Sequence, residues 1–284
     1  MFRHLSPTPF QKIFISFNFK LIMNLKLKNL ILLLFLILAF FLINYNFLDS
    51  KLKGFFPTGN SIFVTSVVDG DTVKFQKNSI RLLGINCPET GEEFSSEAKN
   101  YLIQKIFNKT VLLEFGKDKK DKYNRTLAYI FFENENLNSE IIRQGFANPY
   151  FPSGKDKFTE QFFNAWEECI LNQKNLCEPS TNKCSNCISL KELNFKTQKV
   201  VLENICSFSC DLTLWKIKEE GRKEFYFPSF VLFPSSQVSI IAGKGKNSST
   251  TIFWDEGVVW TETGDTFFLR DNKNRLVFWE TFNY

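Results

Sequence analysis

The amino-acid sequence predicts a mainly β protein with two consecutive β domains behind an apolar N-terminal segment. Short runs rich in β-branched and aromatic residues recur from Ser61 onward, and Gly, Pro, Asn and Asp separate them. Helical periodicity is confined to three stretches before residue 172. A chain of 284 residues is also longer than one small barrel requires and is long enough for two domains.

The first predicted element is an apolar helix. An unbroken apolar run extends from Leu30 to Ile43, and a helix over 30–48 would be about 28 Å long, close to one hydrocarbon thickness. Lys and Arg precede this run without any Asp or Glu, which predicts a cytoplasmic leader at 1–29, a single membrane anchor at 30–48 and export of the rest. A cleaved signal peptide is the alternative, but the absence of a small-residue cleavage site after the run favours an uncleaved anchor.

After a linker at 49–60, residues 61–175 predict a five-stranded barrel of the OB type with about three helices. The predicted strands are Ser61–Val68, Thr72–Phe75, Ser79–Leu83, Thr110–Phe115 and Thr126–Phe132. The predicted helices are Ser96–Phe107, Asn138–Gln144 and Lys155–Leu171. We expect the pair Lys77 and Asn78 to form the tight connection between the second and third strands.

Composition excludes one class of active site. The single histidine, His4, precedes the apolar run, so neither a histidine base nor a histidine-ligated metal is expected in the two β domains. Catalysis there must depend on carboxylates, Arg, Lys, Tyr, Ser or Cys. The net charge of +5 permits a polyanionic substrate without arguing for one.

Three polar clusters in the predicted barrel carry candidate chemistry. The first, D-G-D-T at 69–72, sets two carboxylates around one Gly, which suits a hard cation, although alone it is typical of a solvated turn. The second, R-L-L-G-I-N-C-P-E at 81–89, pairs a guanidinium that can hold phosphate with a carboxylate that can deprotonate water, although a surface ion pair is the ordinary interpretation. The third, D-K-Y-N-R at 121–125, is by itself a polar turn.

Taken together and in this order, the three clusters resemble the staphylococcal nuclease family. The resemblance covers about residues 61–175 and includes R-Q-G-F-A at 143–147. It implies an endonuclease that depends on Ca²⁺ and hydrolyses the phosphodiester bonds of DNA and RNA with little sequence preference.

The resemblance also implies a calcium site. Asp71, Asn86 and the backbone carbonyl of Cys87 would be the direct ligands, and Asp69 would lie behind them. The family often has Asp where this chain has Asn86, so the site carries one negative charge fewer and is expected to bind Ca²⁺ more weakly. The Cys87 side chain itself is expected to be a buried free thiol.

Catalytic roles follow from the same resemblance. Glu89 would be the general base on the attacking water, and Arg81 and Arg125 would hold the phosphate and stabilise the extra negative charge of the transition state. Since the chain keeps all three residues, the sequence favours catalysis over mere binding.

Further positions match substrate contacts of the family. Lys122 and Tyr123 correspond to residues at the phosphate of a bound nucleotide. Tyr150 and Phe151 fall near the aromatic residues that stack on bases. Contacts to phosphates and to base faces carry no sequence information, which accords with cleavage of both DNA and RNA.

The remaining cysteines gather around a predicted linker at 176–187. Six of the seven lie between Cys169 and Cys210. Disulfides are expected if this part of the chain is exported, and the alternative is a zinc site built from the closely spaced pairs. The pairing of the cysteines does not follow from their spacing.

The last predicted domain, 188–284, is an immunoglobulin-like β-sandwich. Its clearest predicted strands are Lys199–Asn204, Leu212–Ile217, Val238–Ala242, Thr266–Arg270 and Arg275–Trp279. The segments V-V-L-E-N, D-L-T-L-W, F-P-S-F and T-G-D-T-F-F-L-R-D resemble the lamin-tail domain. That resemblance implies a binding or attachment role, with a cell-surface ligand as partner.

Two functions of different classes follow. The first is a membrane-anchored, extracytoplasmic nuclease. The second is a non-catalytic surface protein whose barrel binds nucleic acid, and the loss of charge at Asn86 is the feature that supports it. The sequence carries no signal for an oligomeric state.

Overall fold

The computed structural model describes residues 28–29, 32–36, 40 and 60–283. The short described pieces before residue 41 are helical and belong to a unit separate from 59–284. Within the described residues, every helix is too short or too polar to cross a membrane. Most of the predicted anchor, the leader and nearly all of the first linker lie outside the described residues, so the membrane anchor stays a prediction.

Residues 59–284 form one compact unit that contains two hydrophobic cores. The first core lies inside a β-barrel flanked by helices, and the second lies between the sheets of the C-terminal part. The predicted fold class, an OB-type barrel followed by a sandwich, is therefore confirmed.

The barrel is a seven-stranded sheet in which the order β1-β6-β7-β4-β3-β2 forms the main path and β8 pairs with β7. The strands β4 and β7 are parallel, and the other neighbours on the path are antiparallel. A separate pair, β5 with β9, lies beside it. The strands of this part are β1 (Asn60–Phe63), β2 (Ser66–Asp69), β3 (Thr72–Phe75), β4 (Asn78–Leu82), β5 (Ile85–Asn86), β6 (Thr110–Glu114), β7 (Thr126–Phe132), β8 (Glu135–Asn136) and β9 (Asn148–Pro149).

The predicted strand Ser61–Val68 is divided in the structure. At the break, the Val64 amide bonds to the carbonyl of Lys109 at 3.0 Å, and the Thr65 amide bonds to the carbonyl of Lys74 at 2.9 Å. The chain thus leaves β6 and joins β3 within two residues. Because β1 and β2 are consecutive, this bend joins the two ends of the sheet and closes the barrel.

One local expectation was wrong, and one pair of strands was missed. The turn between β3 and β4 consists of Gln76 and Lys77, not of Lys77 and Asn78, and Gln76 takes a φ of +52°. The short strands β5 and β9 were not predicted, because two residues are too few to show a strand pattern. They matter because β5 carries Asn86 into the site.

Three helices flank the barrel, as predicted. They are α1 (Ser95–Ile106), α2 (Leu137–Arg143) and α3 (Thr159–Leu171). Helix α3 begins later than expected because Asp156 forms a polar turn, in which its carboxylate accepts the Phe158 amide at 2.9 Å. The helices bury apolar faces spaced at three and four residues, which are Ala98, Leu102 and Ile106 in α1 and Phe162, Ala165, Trp166 and Cys169 in α3.

The C-terminal part has two four-stranded sheets, in the orders β10-β11-β16-β17 and β14-β13-β18-β19, and a short pair of β12 with β15. No helix is found among the described residues after Cys177. Most of the predicted strand Leu212–Ile217 is a turn in the structure, and the strand here begins only at Lys216. The strands are β10 (Ile188–Asn194), β11 (Lys199–Asn204), β12 (Cys210–Asp211), β13 (Lys216–Lys218), β14 (Glu224–Tyr226), β15 (Val231–Leu232), β16 (Gln237–Ala242), β17 (Thr251–Trp254), β18 (Asp265–Arg270) and β19 (Leu276–Phe282).

Strand β18 joins the two cores. All six of its residues are buried, because its two faces pack in different places. Phe267 and Leu269 lie in the core of the sandwich, while Phe268 packs edge-on against Trp166 of α3 with ring centroids 5.5 Å apart. This shared strand fixes the sandwich against the barrel part.

The predicted disulfides are confirmed. Three bonds form, Cys169–Cys177, Cys184–Cys210 and Cys187–Cys206. The first fixes the end of α3 to the linker, and the other two fasten the linker to the chain before β12 and at β12. Cys87 is free and buried, as expected.

Candidate active site

The D-G-D-T turn between β2 and β3 is held close to α1 by Gly70. A Cβ atom at this position would lie 2.7 Å from the Ala98 Cβ and 2.9 Å from the Cys87 Cβ and Sγ atoms. Only glycine permits that approach. The close approach brings Asp71 into the interior, where it is 6% exposed, while its own amide donates to the Asp69 carboxylate at 3.1 Å.

Asp71 and Arg81 form a buried ion pair. The strand register explains this pair. Arg81 on β4 lies opposite Thr72 on β3, and Thr72 directly follows Asp71. The Asp71 carboxylate also accepts the Cys87 amide and the Thr72 hydroxyl, both at 3.1 Å. Burial raises the pKa of Asp71 to about 6, with the nearby Asp69 adding to the rise and Arg81 opposing it.

Asn86 connects this pair to the second domain. Its side-chain oxygen accepts from Arg81 Nη2 at 3.3 Å, and its side-chain nitrogen donates to the carbonyl oxygen of Gly221 at 2.7 Å. Gly221 belongs to the connection between β13 and β14. Sequence reasoning did not anticipate any residue of the sandwich at this site.

Glu89 lies at the rim of the site, with its side chain about half exposed. Its carboxylate pairs with the Arg222 guanidinium at 2.6 Å, and its amide donates to the Glu92 carboxylate at 2.7 Å. A carboxylate in this position is open to water. Glu89 lines the same recess as Asn86 and Cys87. Asn86 bonds to Arg81 and Cys87 bonds to Asp71, so the recess adjoins the buried ion pair.

The D-K-Y-N-R turn lies just before β7, the parallel neighbour of β4. The Asp121 carboxylate accepts the amides of Tyr123 and Arg125, each at 2.9 Å, and pairs with Arg125 Nε at 2.6 Å. Burial tends to raise the pKa of Asp121, but the bonds from Arg125 outweigh it and lower the value. Tyr123 is 65% exposed, with the charged groups of Lys122 and Arg125 within 5.5 Å of its ring centre.

The structure brings together only some of the predicted site residues. Asp69, Asp71, Arg81, Asn86 and Cys87 form one connected group. Among the described residues, no hydrogen bond or ion pair joins Arg125 to that group or to the general base candidate.

The two aromatic candidates differ. Phe151 is 3% exposed and packs against Phe162 with ring centroids 5.6 Å apart, so its faces are not open to a base. Tyr150 is partly buried beside the Gly221 backbone, and burial raises its pKa. The expectation of stacking at Phe151 therefore does not match the structure, because the segment turns this ring into the core.

The family model described as "Staphylococcal nuclease homologue" matches residues 79–177. The thermonuclease of Staphylococcus intermedius is 32% identical over 130 residues, which cover 42% of this chain and 77% of that protein. The thermonuclease of Staphylococcus hyicus is 30% identical over 123 residues, 40% of this chain and 73% of that protein. The chain belongs to the staphylococcal nuclease family. An uncharacterized endonuclease of Haemophilus influenzae is also similar, at 34% identity over 96 residues, 32% of this chain and 53% of that protein.

Within this nuclease-family domain, the oxygen atoms near Asp71 fit a hard divalent cation. Carboxylate, amide and backbone carbonyl oxygens, as offered by Asp71, Asn86 and Cys87, are the ligands that Ca²⁺ takes in proteins. Burial disfavours the ionised form of Asp71, and a cation would stabilise it. In the part of the chain that the structure describes, no cluster of three or more His, Cys, Asp or Glu side chains could hold a metal. A cation would therefore depend on the amide and carbonyl oxygens as well.

A cavity of about 300 Å³ adjoins the nuclease-family site. Asn86, Glu89 and Asn148 line it from the barrel part, and Lys216, Lys218, Arg222 and Arg270 line it from the sandwich. The basic groups of this cavity thus come from the second domain, whereas the proposed base comes from the first.

Proposed function

We propose that the protein is an extracytoplasmic nuclease that hydrolyses the phosphodiester bonds of DNA and RNA with little sequence preference and with the assistance of Ca²⁺. Membership of the staphylococcal nuclease family and the similarity to thermonucleases support a nuclease function. The observation that carries the proposal is the buried group of Asp71, Arg81 and Asn86 beside a solvent-open Glu89.

Glu89 is suited to act as general base. Its half-exposed carboxylate can accept a proton from a water molecule while the water oxygen forms a bond to phosphorus, and the phosphorus–oxygen bond to the leaving group then breaks. Arg81, with a planar fork of donors, can bind two phosphate oxygens and stabilise the charge that develops on them. Arg125 supplies a second guanidinium in this proposal, after release from Asp121.

The calcium ligands in this proposal are Asp71, Asn86 and the carbonyl oxygen of Cys87, with Asp69 behind Asp71. When bound there, Ca²⁺ supplies Lewis-acid polarisation of the phosphate and neutralises part of its charge. In its absence, Arg81 is the positive partner of Asp71. Lys122, Tyr123 and Tyr150 remain as candidates for contacts to the rest of the nucleotide.

Export of the protein has one structural support beyond the apolar segment. Three disulfides persist in oxidising compartments such as the cell exterior and are rare in the cytosol. We therefore propose that the chain is anchored by residues 30–48 with the working part outside. The sandwich, proposed to be of the lamin-tail type, would then be available to a cell-surface ligand.

The test uses purified residues 50–284, which contain the whole compact unit. Plasmid DNA and single-stranded RNA are incubated with the protein in CaCl₂ or in EGTA. We expect digestion of both nucleic acids with calcium only. Replacing Glu89 by Gln is expected to slow it by roughly 10²- to 10⁴-fold.

Glu97→Gln is the matched control, because Glu97 is an exposed glutamate on α1 and its loss should leave the rate unchanged. Absence of digestion with calcium would contradict the proposal. So would digestion that neither EGTA nor Glu89→Gln reduces. Binding without digestion would favour the non-catalytic surface protein instead.

The case for that second function is weaker in the structure than in the sequence. A non-catalytic protein was considered because Asn86, in place of Asp, was expected to weaken the cation site. The bond from Asn86 to Gly221 gives the amide a structural role of its own.

A further inference from the structure

The connection between β13 and β14, residues 219–222, reaches into the nuclease site and is fastened there. We refer to it as the interdomain turn. Three hydrogen bonds donated by the barrel part hold it, from Asn86 to the Gly221 carbonyl at 2.7 Å, from Asn148 to the Glu220 carbonyl at 2.7 Å and from the Phe151 amide to the Glu220 carboxylate at 2.9 Å. All three bonds are buried, so the turn is a constant part of the site.

Hydrogen bonds within the turn and to its flanking residues also fix its conformation. The Glu219 carboxylate accepts the Gly221 amide at 2.6 Å and the Lys223 amide at 2.7 Å. The buried Lys218 ammonium donates to the carbonyls of Glu219 and Gly221. This network gives the backbone on both sides of Arg222 a fixed position, and the Arg222 side chain extends from it to Glu89.

Among the four basic residues that line the cavity, Arg222 differs from the other three. Lys216 is paired with Glu224, Lys218 bonds to the backbone of the turn, and Arg270 bonds to the carbonyls of Leu176 and Asn274. Those three side chains are mostly buried and serve the structure. The Arg222 side chain is 58% exposed and forms an ion pair with Glu89.

The pair of Arg222 and Glu89 is close but weak. Both side chains are about half exposed, and ion pairs of this kind shift an equilibrium by about fivefold at most. A phosphate group can therefore replace Glu89 as the partner of Arg222 at little cost. The Arg222 guanidinium lies 2.6 Å from the Glu89 carboxylate. A phosphate that is attacked by a water molecule bound to Glu89 would therefore also lie within reach of Arg222.

We propose that Arg222 of the second domain is a substrate-binding residue of the nuclease site. In the free protein its guanidinium rests on Glu89. When a nucleic-acid strand enters the cavity, the guanidinium binds a backbone phosphate, and Glu89 is left free to accept a proton from water. This inference rests on the proposed nuclease function, and it gives the sandwich a direct part in that function.

An inhibitory lock is the competing interpretation of the same contact. A lock must favour the closed state by several orders of magnitude to act as a switch. A half-exposed ion pair falls far short of that. The contact is thus better suited to a guanidinium that changes partner than to one that blocks the base.

The test compares wild type with Arg222→Ala, Arg222→Lys and the control Lys246→Ala. Lys246 is an exposed lysine of the sandwich outside the cavity, so its loss removes the same charge elsewhere. Binding of a fluorescent single-stranded oligodeoxynucleotide is measured by anisotropy in EDTA over a series of NaCl concentrations. Initial rates of digestion are then measured with CaCl₂.

We expect Arg222→Ala to weaken binding roughly tenfold and to reduce the slope of log Kd against log[NaCl] by about 0.7, the loss of one contact to single-strand phosphate. We expect KM to rise while kcat changes little, Arg222→Lys to retain most of the slope, and Lys246→Ala to resemble wild type. The melting temperature of Arg222→Ala should match that of wild type, because a surface ion pair adds little stability.

The proposal is overturned if Arg222→Ala has the same salt slope as wild type. It is also overturned if Lys246→Ala reduces the slope as much as Arg222→Ala does. Faster digestion by Arg222→Ala also overturns it and identifies a lock. If wild type binds the oligonucleotide but does not digest it, the nuclease function fails while a reduced slope still supports Arg222 as a phosphate ligand. If wild type neither binds nor digests, both proposals fail.

Discussion

The side-chain amide of Asn86 donates a buried 2.7 Å hydrogen bond to the carbonyl oxygen of Gly221. The same side chain accepts from Arg81 through its oxygen. Asp could accept from Arg81 but, when ionised, could not donate to a carbonyl. Asn at this position therefore fits the presence of a second domain over the site, because a carboxylate there would leave the Gly221 carbonyl without its donor.

Replacing Asn86 by Asp is expected to destabilise the protein while strengthening its affinity for calcium. The carboxylate loses the bond to Gly221 and faces its carbonyl oxygen, which should lower the free energy of unfolding by about 1–3 kcal/mol in EDTA. It also adds a negative charge beside Asp71, so CaCl₂ should restore more stability to the variant than to wild type. Urea unfolding in EDTA and in CaCl₂ measures both effects.

Asn148→Asp is the matched control for this experiment. Asn148 donates a similar 2.7 Å bond to the neighbouring carbonyl of Glu220 but is not among the proposed calcium ligands. It should show the loss of stability with a smaller recovery in calcium, because its added charge lies opposite Asn86 but does not ligate the cation. Equal recovery in the two variants would argue against Asn86 as a ligand, and an undiminished stability of Asn86→Asp would argue against the structural role of its amide.

Gly70 should tolerate no larger residue. A methyl group there would meet the Ala98 Cβ at 2.7 Å and the Cys87 side chain at 2.9 Å, distances that require α1 or the turn to move. We expect Gly70→Ala to lower the free energy of unfolding by about 1–3 kcal/mol, the usual effect of overpacking, and to displace Asp71. Urea unfolding and nuclease rate together measure the two consequences.

Gly257→Ala serves as the control for the Gly70 variant, because a methyl group at Gly257 would meet nothing within 4 Å. It should resemble wild type in both measurements. A Gly70→Ala protein of wild-type stability would show that the turn is not packed against α1 as described.

The disulfides make a prediction that a thiol count can decide. Unfolded without reductant, the chain should show one reactive thiol, that of Cys87, and after reduction it should show all seven. Five or more thiols before reduction would indicate a reduced metal site instead. Replacing Cys187 and Cys206 together by Ser opens a bridge between residues 19 apart, which is expected to lower the free energy of unfolding by about 3 kcal/mol.

The elements that the sequence predicted are those with a local signal. Strands β3 and β7 have the predicted bounds, and α1 lies within one residue of its prediction at each end. The pairing of Asp71 with Arg81 could not be predicted as a contact, but the resemblance to the staphylococcal nuclease family implied one site for both. Local patterns such as alternation and helical periodicity carry this much information.

What the sequence could not predict depends on contacts between distant residues. Asn86 and Gly221 are 135 residues apart, and nothing in the short segment around Gly221 marks it as part of a site. Strand β18 is buried on both faces, so its pattern does not show that one face packs on the barrel part. Likewise, Phe151 is buried because it packs against Phe162 of α3. The residues next to Phe151 in the sequence carry no sign of that contact.

Asp265 is expected to make the stability of the protein depend on pH. It lies under the interdomain turn, 1% exposed, where its carboxyl group accepts the amides of Thr266 at 2.8 Å and Glu220 at 3.3 Å. Burial raises its pKa from 3.8 to about 7, and the charge of the nearby Glu219 adds to the rise.

The direction of this dependence follows from proton binding. Below pH 3.8 the Asp265 carboxyl group is protonated in both the native and the unfolded chain, so it does not change the free energy of unfolding. Between 3.8 and about 7 the unfolded chain gives up the proton while the native state keeps it, so each pH unit lowers stability by about 1.4 kcal/mol. Above pH 7 the loss levels off at about 4 kcal/mol.

Asp265→Asn should remove this loss, because an amide keeps an oxygen for the Thr266 amide and does not ionise. We expect the variant to gain on wild type steadily from pH 4 to pH 7 and to be several kcal/mol more stable at pH 8, as measured by urea unfolding across that range. Asp255→Asn, at an exposed aspartate of the same domain, should follow wild type at every pH. Parallel curves for wild type and Asp265→Asn would mean that this buried carboxyl group does not hold its proton in the native state.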